Sequence, residues 1–466
     1  MMLLLSVNCI HDLNYVMKKL ILTLFFIPAA WHAQQTVNQD TEIVNYISQV
    51  HADSLKSHIH KLVSFGTRHT MSSTTDPERG IGAARNWVLK KFSDYAKNAN
   101  GRMEAFIQKH VIQPDGKRID RPTDLGNVIA IIHGTNAQDK RMFMMSGHLD
   151  SRVSNVMNFN DNAPGANDDG SGIAGLIESA RILSRSKFPG TIVLVAFSGE
   201  EQGLLGSKML AEKAKNEGWQ IEALLNNDMI GNHLTSETNL TNTHQLRVFS
   251  EGLPYYQLDK NARSIRAMGL ENDGDARQLA RYIKETGERY IDNFQVKMIY
   301  RNDRFLRGGD HTPFVEAGFP AVRLTEFNEN YDHQHQDIRK EKGVQYGDLP
   351  EFMDFEYFKK NVGVNIAVLA NLAKAPAKPE EVRIEVDQLT NFTTLTWEKP
   401  KFRENITGYY VLMRDTDVST WQKKFFTTKN RIKLPYSKDN YFFAIQAVSN
   451  SGNESLAVTP KVKNEK

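Results

Sequence analysis

Residues 164–183 read PGANDDGSGIAGLIESARIL: two adjacent carboxylates, Asp168 and Asp169, in a run of small residues, followed at once by an apolar segment with helical spacing. Asp and Gly are ordinary turn residues, and an Asp ahead of a helix is an ordinary cap. The flanking sequence gives this turn a different meaning. Upstream, RMFMMSGH (141–148) and downstream, TIVLVAFSG (191–199), are apolar runs of strand length, so the turn and its helix join two buried strands.

Three further segments, NVIAIIHG (127–134), ALLNNDMIG (223–231) and PAVRLTEF (320–327), have the same character. Helical spacing is expected at 171–185, 203–217 and 354–373, between or after these strands, and also over 42–65 and 80–95. Such alternation predicts an α/β fold, a mixed and mostly parallel sheet flanked by helices on both faces. In sheets of this kind ligands sit beyond the carboxyl ends of the strands.

Chemistry-bearing residues collect at those ends. His148 and Asp150 close one strand, Asp168 and Asp169 stand in the turn, Glu200 and Glu201 follow the next strand, and Asp228 ends a third. Desolvating even one unpaired carboxylate costs several kcal/mol or shifts its pKa until it is neutral. A divalent cation removes the conflict, and imidazole and carboxylate without sulfur suit catalytic zinc, although manganese or cobalt accept the same ligands.

The ordered set GHLDS (147–151), PGANDDGSG (164–172), SGEEQGLLGS (198–207) and NNDMIG (226–231) resembles the di-zinc aminopeptidases of clan MH, relatives of the glutamate carboxypeptidases and glutaminyl cyclases. The resemblance spans about residues 60–373. It implies two zinc ions per chain, with His148, Asp168, Glu201 and Asp228 as ligands and Asp168 as the bridge. It implies Asp150 as the carboxylate that orients the histidine, and Glu200 as the general base acting on a water shared by the metals. Aligning Asp337 in YDHQHQD (331–337) makes His333 the fifth ligand, with His335 as the alternative. Asp310 and His311 are expected to line the cleft and meet substrate; a helix cap with a bonded histidine is the other reading. Asp169 is expected to be structural, and His58, His60, His69, His110 and His233 to be ordinary residues, the first two at the surface.

The implied activity is peptide hydrolysis from a free terminus, foremost as an aminopeptidase. Arg301, Arg304 and Arg307 keep a carboxypeptidase open, since such an enzyme wants a guanidinium for the substrate carboxylate. A single-zinc glutaminyl cyclase is the other alternative.

The 466 residues also hold more than one domain of ordinary size. Residues 1–33 are expected to be a signal peptide, with a true start at Met17, because Lys18 and Lys19 precede a short apolar run and small residues; this implies a secreted or periplasmic protein. The single cysteine, Cys9, falls in that removable part, leaving the peptidase domain at 34–375 without thiols. Beyond the linker AKAPAKPEE (373–381) the period becomes two, and 376–466 are expected to form a small all-β sandwich resembling a fibronectin type III module, available to a protein or polymer partner. A net charge of +3, with scattered basic residues, gives no electrostatic footprint for nucleic acid, and no stretch is long enough for a transmembrane segment.

Overall fold

The computed structural model describes residues 38–253, 255–400 and 406–462. The expected signal peptide, Met17 and Cys9 lie outside them. After helices α1 (Thr41–Ser48), α2 (Ala52–Val63) and α3 (Ile81–Ala96), the chain lays down β1 (Met103–Ile112), β2 (Thr123–Ile132) and β3 (Arg141–His148). Helix α4 (Gly170–Leu183), β4 (Thr191–Phe197), α5 (Leu205–Asn216) and β5 (Gln220–Asn227) follow. Then come β6 (Gln245–Phe249), α6 (Tyr255–Met268), α7 (Asp275–Tyr290), β7 (Gln295–Ile299), α8 (Thr312–Ala317), β8 (Ala321–Glu326) and α9 (Phe355–Lys374).

The eight strands form one sheet of order β1-β2-β4-β3-β5-β8-β6-β7. The central neighbours β4, β3, β5 and β8 run parallel, so their carboxyl ends share one edge. Strand β3 is followed in sequence by β4 on one side and β5 on the other, which makes that edge the switch point where α/β sheets place ligands. These central strands read as unbroken apolar runs because both of their faces are covered. On one face a large core joins Ile59, Val88, Ile177, Ile283 and Leu369 from α2, α3, α4, α7 and α9; on the other, Leu210 of α5 and Phe314 of α8 pack against Met144 and Val195.

The helical stretch expected over 42–65 is two helices, and its paired histidines divide. His60 is exposed, as expected, whereas His58 is buried, correcting the surface assignment: α2 turns it inward, where its ring meets the edge of Trp87. Burial, and after it the charge of Lys91, pushes the His58 imidazole down to about 4. A neutral buried imidazole stabilises the fold fully above its unfolded value near 6.5, and the contribution is lost as pH falls toward 4. Replacing His58 with Leu should therefore flatten the acid limb of the stability curve between those values by up to about 3 kcal/mol, read from urea midpoints against pH.

Beyond α9 the chain forms two small sheets. One has strands Arg431–Leu434, Thr393–Glu398, Glu380–Ile384 and Lys461–Val462; the other has Lys423–Thr427, Ile406–Asp415 and Tyr441–Ser449. Pairing is antiparallel except between Glu380–Ile384 and Lys461–Val462. Trp397, Phe443 and Ile445 lie in the core between the sheets, with Tyr441 partly buried at its margin. The outer face of the second sheet, with Tyr410, Leu412, Ala444 and Val448, is buried too. It meets the peptidase part: Arg289 grips Glu454 at 2.9 and 2.8 Å, Arg414 reaches Asp273 at 2.6 Å, and Lys424 reaches Glu285 at 2.7 Å. No helix among the described residues is long and apolar enough to cross a membrane.

Candidate metal centre

His148, Asp150, Glu200, Glu201 and Asp228 stand at or just beyond strand ends, Asp168 stands just ahead of α4, and His335 comes from the irregular segment after β8. After β3 the chain stays in register for one more residue, Leu149 N donating to Phe197 O at 2.7 Å, which fixes the spacing between His148 and Asp150. After β4, Gly199 takes φ +78°, where a side chain would be strained and its Cβ would come within 2.9 Å of Leu125. This turn presents Glu200 and Glu201 in different directions. Asp169 caps α4, accepting from Gly172 N at 2.8 Å and from His148 N at 2.9 Å, and a Cβ on Gly172 would fall 2.3 Å from that carboxylate. Asp169 is structural, as its place before a helix implied.

The side chains converge in two groups that share one member. His148 Nε2 lies 3.1 Å from Asp168 Oδ1 and 3.8 Å from Asp228 Oδ1. His335 Nε2 lies 2.9 Å from Asp168 Oδ2 and 2.8 Å from Glu201 Oε1. In each group the potential ligand atoms lie within 4.8 Å of one another. All of these residues are buried except His335, which is partly open to a cleft of about 460 Å³ that Glu200 also lines.

His333 is not among them. Its ring stacks on Phe352, centroids 3.7 Å apart, and His335 takes its place. The reason is local: His335 adopts φ +55°, a left-handed kink that swings its side chain into the site, while Asp337, the residue used for alignment, binds Ser154 Oγ at 2.7 Å. If this pair of groups holds metal, His335→Ala should release about one ion per chain by elemental analysis, and His333→Ala should release none.

Asp150 works differently from the expectation. Its carboxylate stands 3.9 Å from His148 Nδ1, and the ring nitrogen instead meets the Asp150 carbonyl oxygen at 3.0 Å. The carboxylate accepts from the amides of Gly199, Glu200 and Glu201 at 2.9, 3.2 and 3.1 Å. Asp150 therefore sets both the histidine and the two-glutamate turn, as a positioning residue with no exposed surface. Asp310 and His311 are also buried and are not among the residues that line the cleft, contrary to the expectation that they would line it. His311 Nε2 meets Asn302 O at 2.9 Å, and burial, with neighbouring Asp150 and Asp228, pushes the Asp310 carboxyl up to about 7 against the pull of His148.

Several supports carry no local motif. Arg323 pairs with Asp228 at 2.9 Å and with Asp303 at 3.0 Å, and Arg152 pairs with Glu201 at 2.9 Å. Arg68, fully buried, donates to Leu149 O, Pro164 O and Gly165 O at 2.8, 2.6 and 2.9 Å, tying the end of β3 to the loop before Asp168. Asp348 receives Asn167 N at 3.0 Å and Asp168 N at 2.7 Å. The Asn167 amide is shared between both Asp348 oxygens, 3.0 Å from each, so an amide in its place would turn an NH2 group against that donor or away from Asp168 N. Asp348→Asn should thus weaken zinc retention by about 10- to 100-fold in a competition titration, without unfolding the chain.

The electrostatics test whether a cation fits. Burial opposes charge on His148 and His335, yet Asp168 and Asp228 hold the first well above its ordinary range, and Glu201 with Asp168 pushes the second up to about 9. Burial, then Glu201, Asp228 and Asp310, push Glu200 well up against the pull of His148. The site thus draws in positive charge, and a dication can take the place of the protons. Among the described residues no donor is aimed at the buried Glu201 Oε1, although it lies 2.8 Å from His335 Nε2, as expected of two ligand atoms turned to a common point rather than to each other. The donor set fits a zinc-type ion.

Residues 127–343 match the sequence pattern of Peptidase family M28. A "Probable zinc metalloprotease" of Leptosphaeria maculans is 42% identical over 422 residues, covering 90% of this chain and 97% of that one. Another of that description, from Pyricularia oryzae, is 40% identical over 427 residues, covering 90% and 84%. The crystal structure of LapA of Legionella pneumophila shares the fold with a TM-score of 0.52 at 18% identity, covering 73% of this chain and 78% of that one. The large mixed sheet flanked by helices is thus a fold shared with LapA, and the acid-rich centre lies at its switch point. The chain belongs to Peptidase family M28 and is a peptide hydrolase.

Proposed function

We propose that the chain is an exported aminopeptidase that holds two zinc ions. The observation that carries this reading is Asp168, which turns Oδ1 toward His148 and Oδ2 toward His335, 3.1 and 2.9 Å away. Offering one oxygen to each of two ligand groups is what a bridging carboxylate must do. His148 and Asp228 would complete one site, Glu201 and His335 the other. Zinc bound there supplies Lewis-acid polarisation of the scissile carbonyl and of water.

The chain's own residues supply the rest. Glu200, lining the cleft beside these groups, takes the proton of the attacking water and returns it to the leaving amine. Asp150 holds the Glu200 amide, so the base is oriented by the same residue that sets His148. Arg323 and Arg152 fix the rotamers of Asp228 and Glu201 by pairing with one oxygen of each.

Hydrolysis of a peptide library, followed by mass spectrometry with and without chelator, tests the reading: fragments shortened from the amino end are expected, and acetylation of that end should stop turnover. A carboxypeptidase remains the second reading because Arg304 and Arg307 line the cleft; it is favoured instead if acetylated peptides are cut and carboxyl-terminal amides are not. Export rests on the pattern at 17–33 and is tested by sequencing the amino end of protein recovered from outside the cytoplasm. The seven described strands in two sheets support the fibronectin type III-like reading of 376–466, and the contacts of Arg289, Arg414 and Lys424 support the peptidase part itself as its partner.

A further inference from the structure

The cleft above the candidate metal centre has a divided charge. Among the described residues its only lining carboxylates are Asp168, Glu200, Glu201 and Asp228, all of which the proposed chemistry uses. Four arginines line the remainder: Arg118, Arg152, Arg304 and Arg307. Two are already paired, Arg152 with Glu201 at 2.9 Å and Arg304 with Glu329 at 3.0 Å. Arg118 gives one nitrogen to the Glu201 carbonyl and is otherwise exposed. The Arg307 side chain is exposed and has no hydrogen bond or ion pair among the described residues.

Arg307 sits on a loop with unusual features. Leu306 beside it lines the cleft, is 93% exposed, and has φ +57°, a conformation that a bulky side chain rarely adopts. Phe305 is 74% exposed. Leu204 and His335, which also line the cleft, and Met229, next to the ligand Asp228, have positive φ as well. Non-glycine residues held in this region cluster at ligand sites, where the surrounding structure compensates the strain. A strained turn that leaves apolar side chains and a free guanidinium in water at the mouth of a peptidase cleft has the composition of a contact surface for substrate.

We propose that Arg307, assisted by Arg118, binds a carboxylate of the substrate, so that peptides carrying negative charge on the side of the scissile bond away from the free amine are preferred. This rests on the peptidase reading given above. The carboxylate can come from an acidic side chain or from the terminus of a very short peptide, and both present the same planar pair of oxygens to a guanidinium.

Three dipeptide substrates with a common amino-terminal residue separate these sources: glutamine amide as the neutral reference, glutamate amide for the side-chain carboxylate, and glutamine with a free terminus. With the zinc-loaded full chain, at least one charged peptide should exceed the reference in kcat/KM by about tenfold or more, mainly through KM, and Arg307→Gln should remove most of that ratio. Arg307→Glu should turn the preference toward a lysine amide. Equal rates on all three peptides, or a ratio unchanged in Arg307→Gln, would overturn the proposal while leaving the peptidase reading intact. Failure to hydrolyse any peptide would overturn both.

Discussion

Glu200→Gln should lower kcat on a good peptide substrate by about 10³- to 10⁴-fold while zinc content stays at the wild-type level. The amide keeps the size and polarity of the side chain, and the Glu200 backbone amide still donates to Asp150 at 3.2 Å, so the turn and the neighbouring candidate ligand Glu201 stay in place. What is lost is the ability to accept a proton. The contrast with Glu201 is the informative part: Glu201→Gln should cost metal as well as rate, because Glu201 meets His335 at 2.8 Å inside a ligand group and Glu200 belongs to neither group. Elemental analysis and steady-state kinetics on the same preparations separate the two adjacent residues. If Glu200→Gln lost metal and Glu201→Gln did not, the roles would have to be exchanged.

Replacing Glu454 with Ala should destabilise the whole chain by about 3–5 kcal/mol. This carboxylate belongs to the carboxyl-terminal sheets, is buried, and receives both terminal nitrogens of Arg289 on α7; Lys424 stands 3.8 Å away. Removing it leaves the largely buried Arg289 guanidinium without its partner. Glu385→Gln, whose partner Arg431 is exposed, should leave the urea midpoint nearly unchanged. Because Leu456 also enters the peptidase core and Tyr282 donates to the Glu454 carbonyl at 2.8 Å, one cooperative transition is expected. Two separated transitions, with Glu454→Ala moving only one, would show that the carboxyl-terminal part is an independent unit.

Much of the architecture was legible because its central strands are buried on both faces and so appear as unbroken apolar runs. Strands β6 and β7, with five residues each, and β1, half exposed at the sheet edge, lack that signature and were missed. The same logic divides the site. His148, Glu200, Glu201 and Asp228 were legible since each stands at or just beyond the end of a strand whose direction the sequence implies, and Asp168 since its turn leads straight into a helix of plain apolar spacing. His335 was not, because the choice between it and His333 depends on one left-handed residue in an irregular turn. Arg68, Arg152, Arg323 and Asp348 form no local pattern: Asp348 reaches Asp168 across 180 residues. The role of Asp150 was misread because spacing shows that a carboxylate stands near a histidine, not that its backbone oxygen makes the contact. For the carboxyl-terminal sheets, alternation identified the inner face, but the outer face carries apolar residues as well, and only the fold shows what covers them.

Loaded with zinc, the chain should hold two ions that share Asp168. Crystals grown with zinc, measured on both sides of the zinc absorption edge, test it most directly. Two anomalous peaks are expected on either side of the Asp168 carboxylate, one against His148 and Asp228 and the other against Glu201 and His335. A single peak, or ions bound elsewhere with these side chains turned apart, would contradict it.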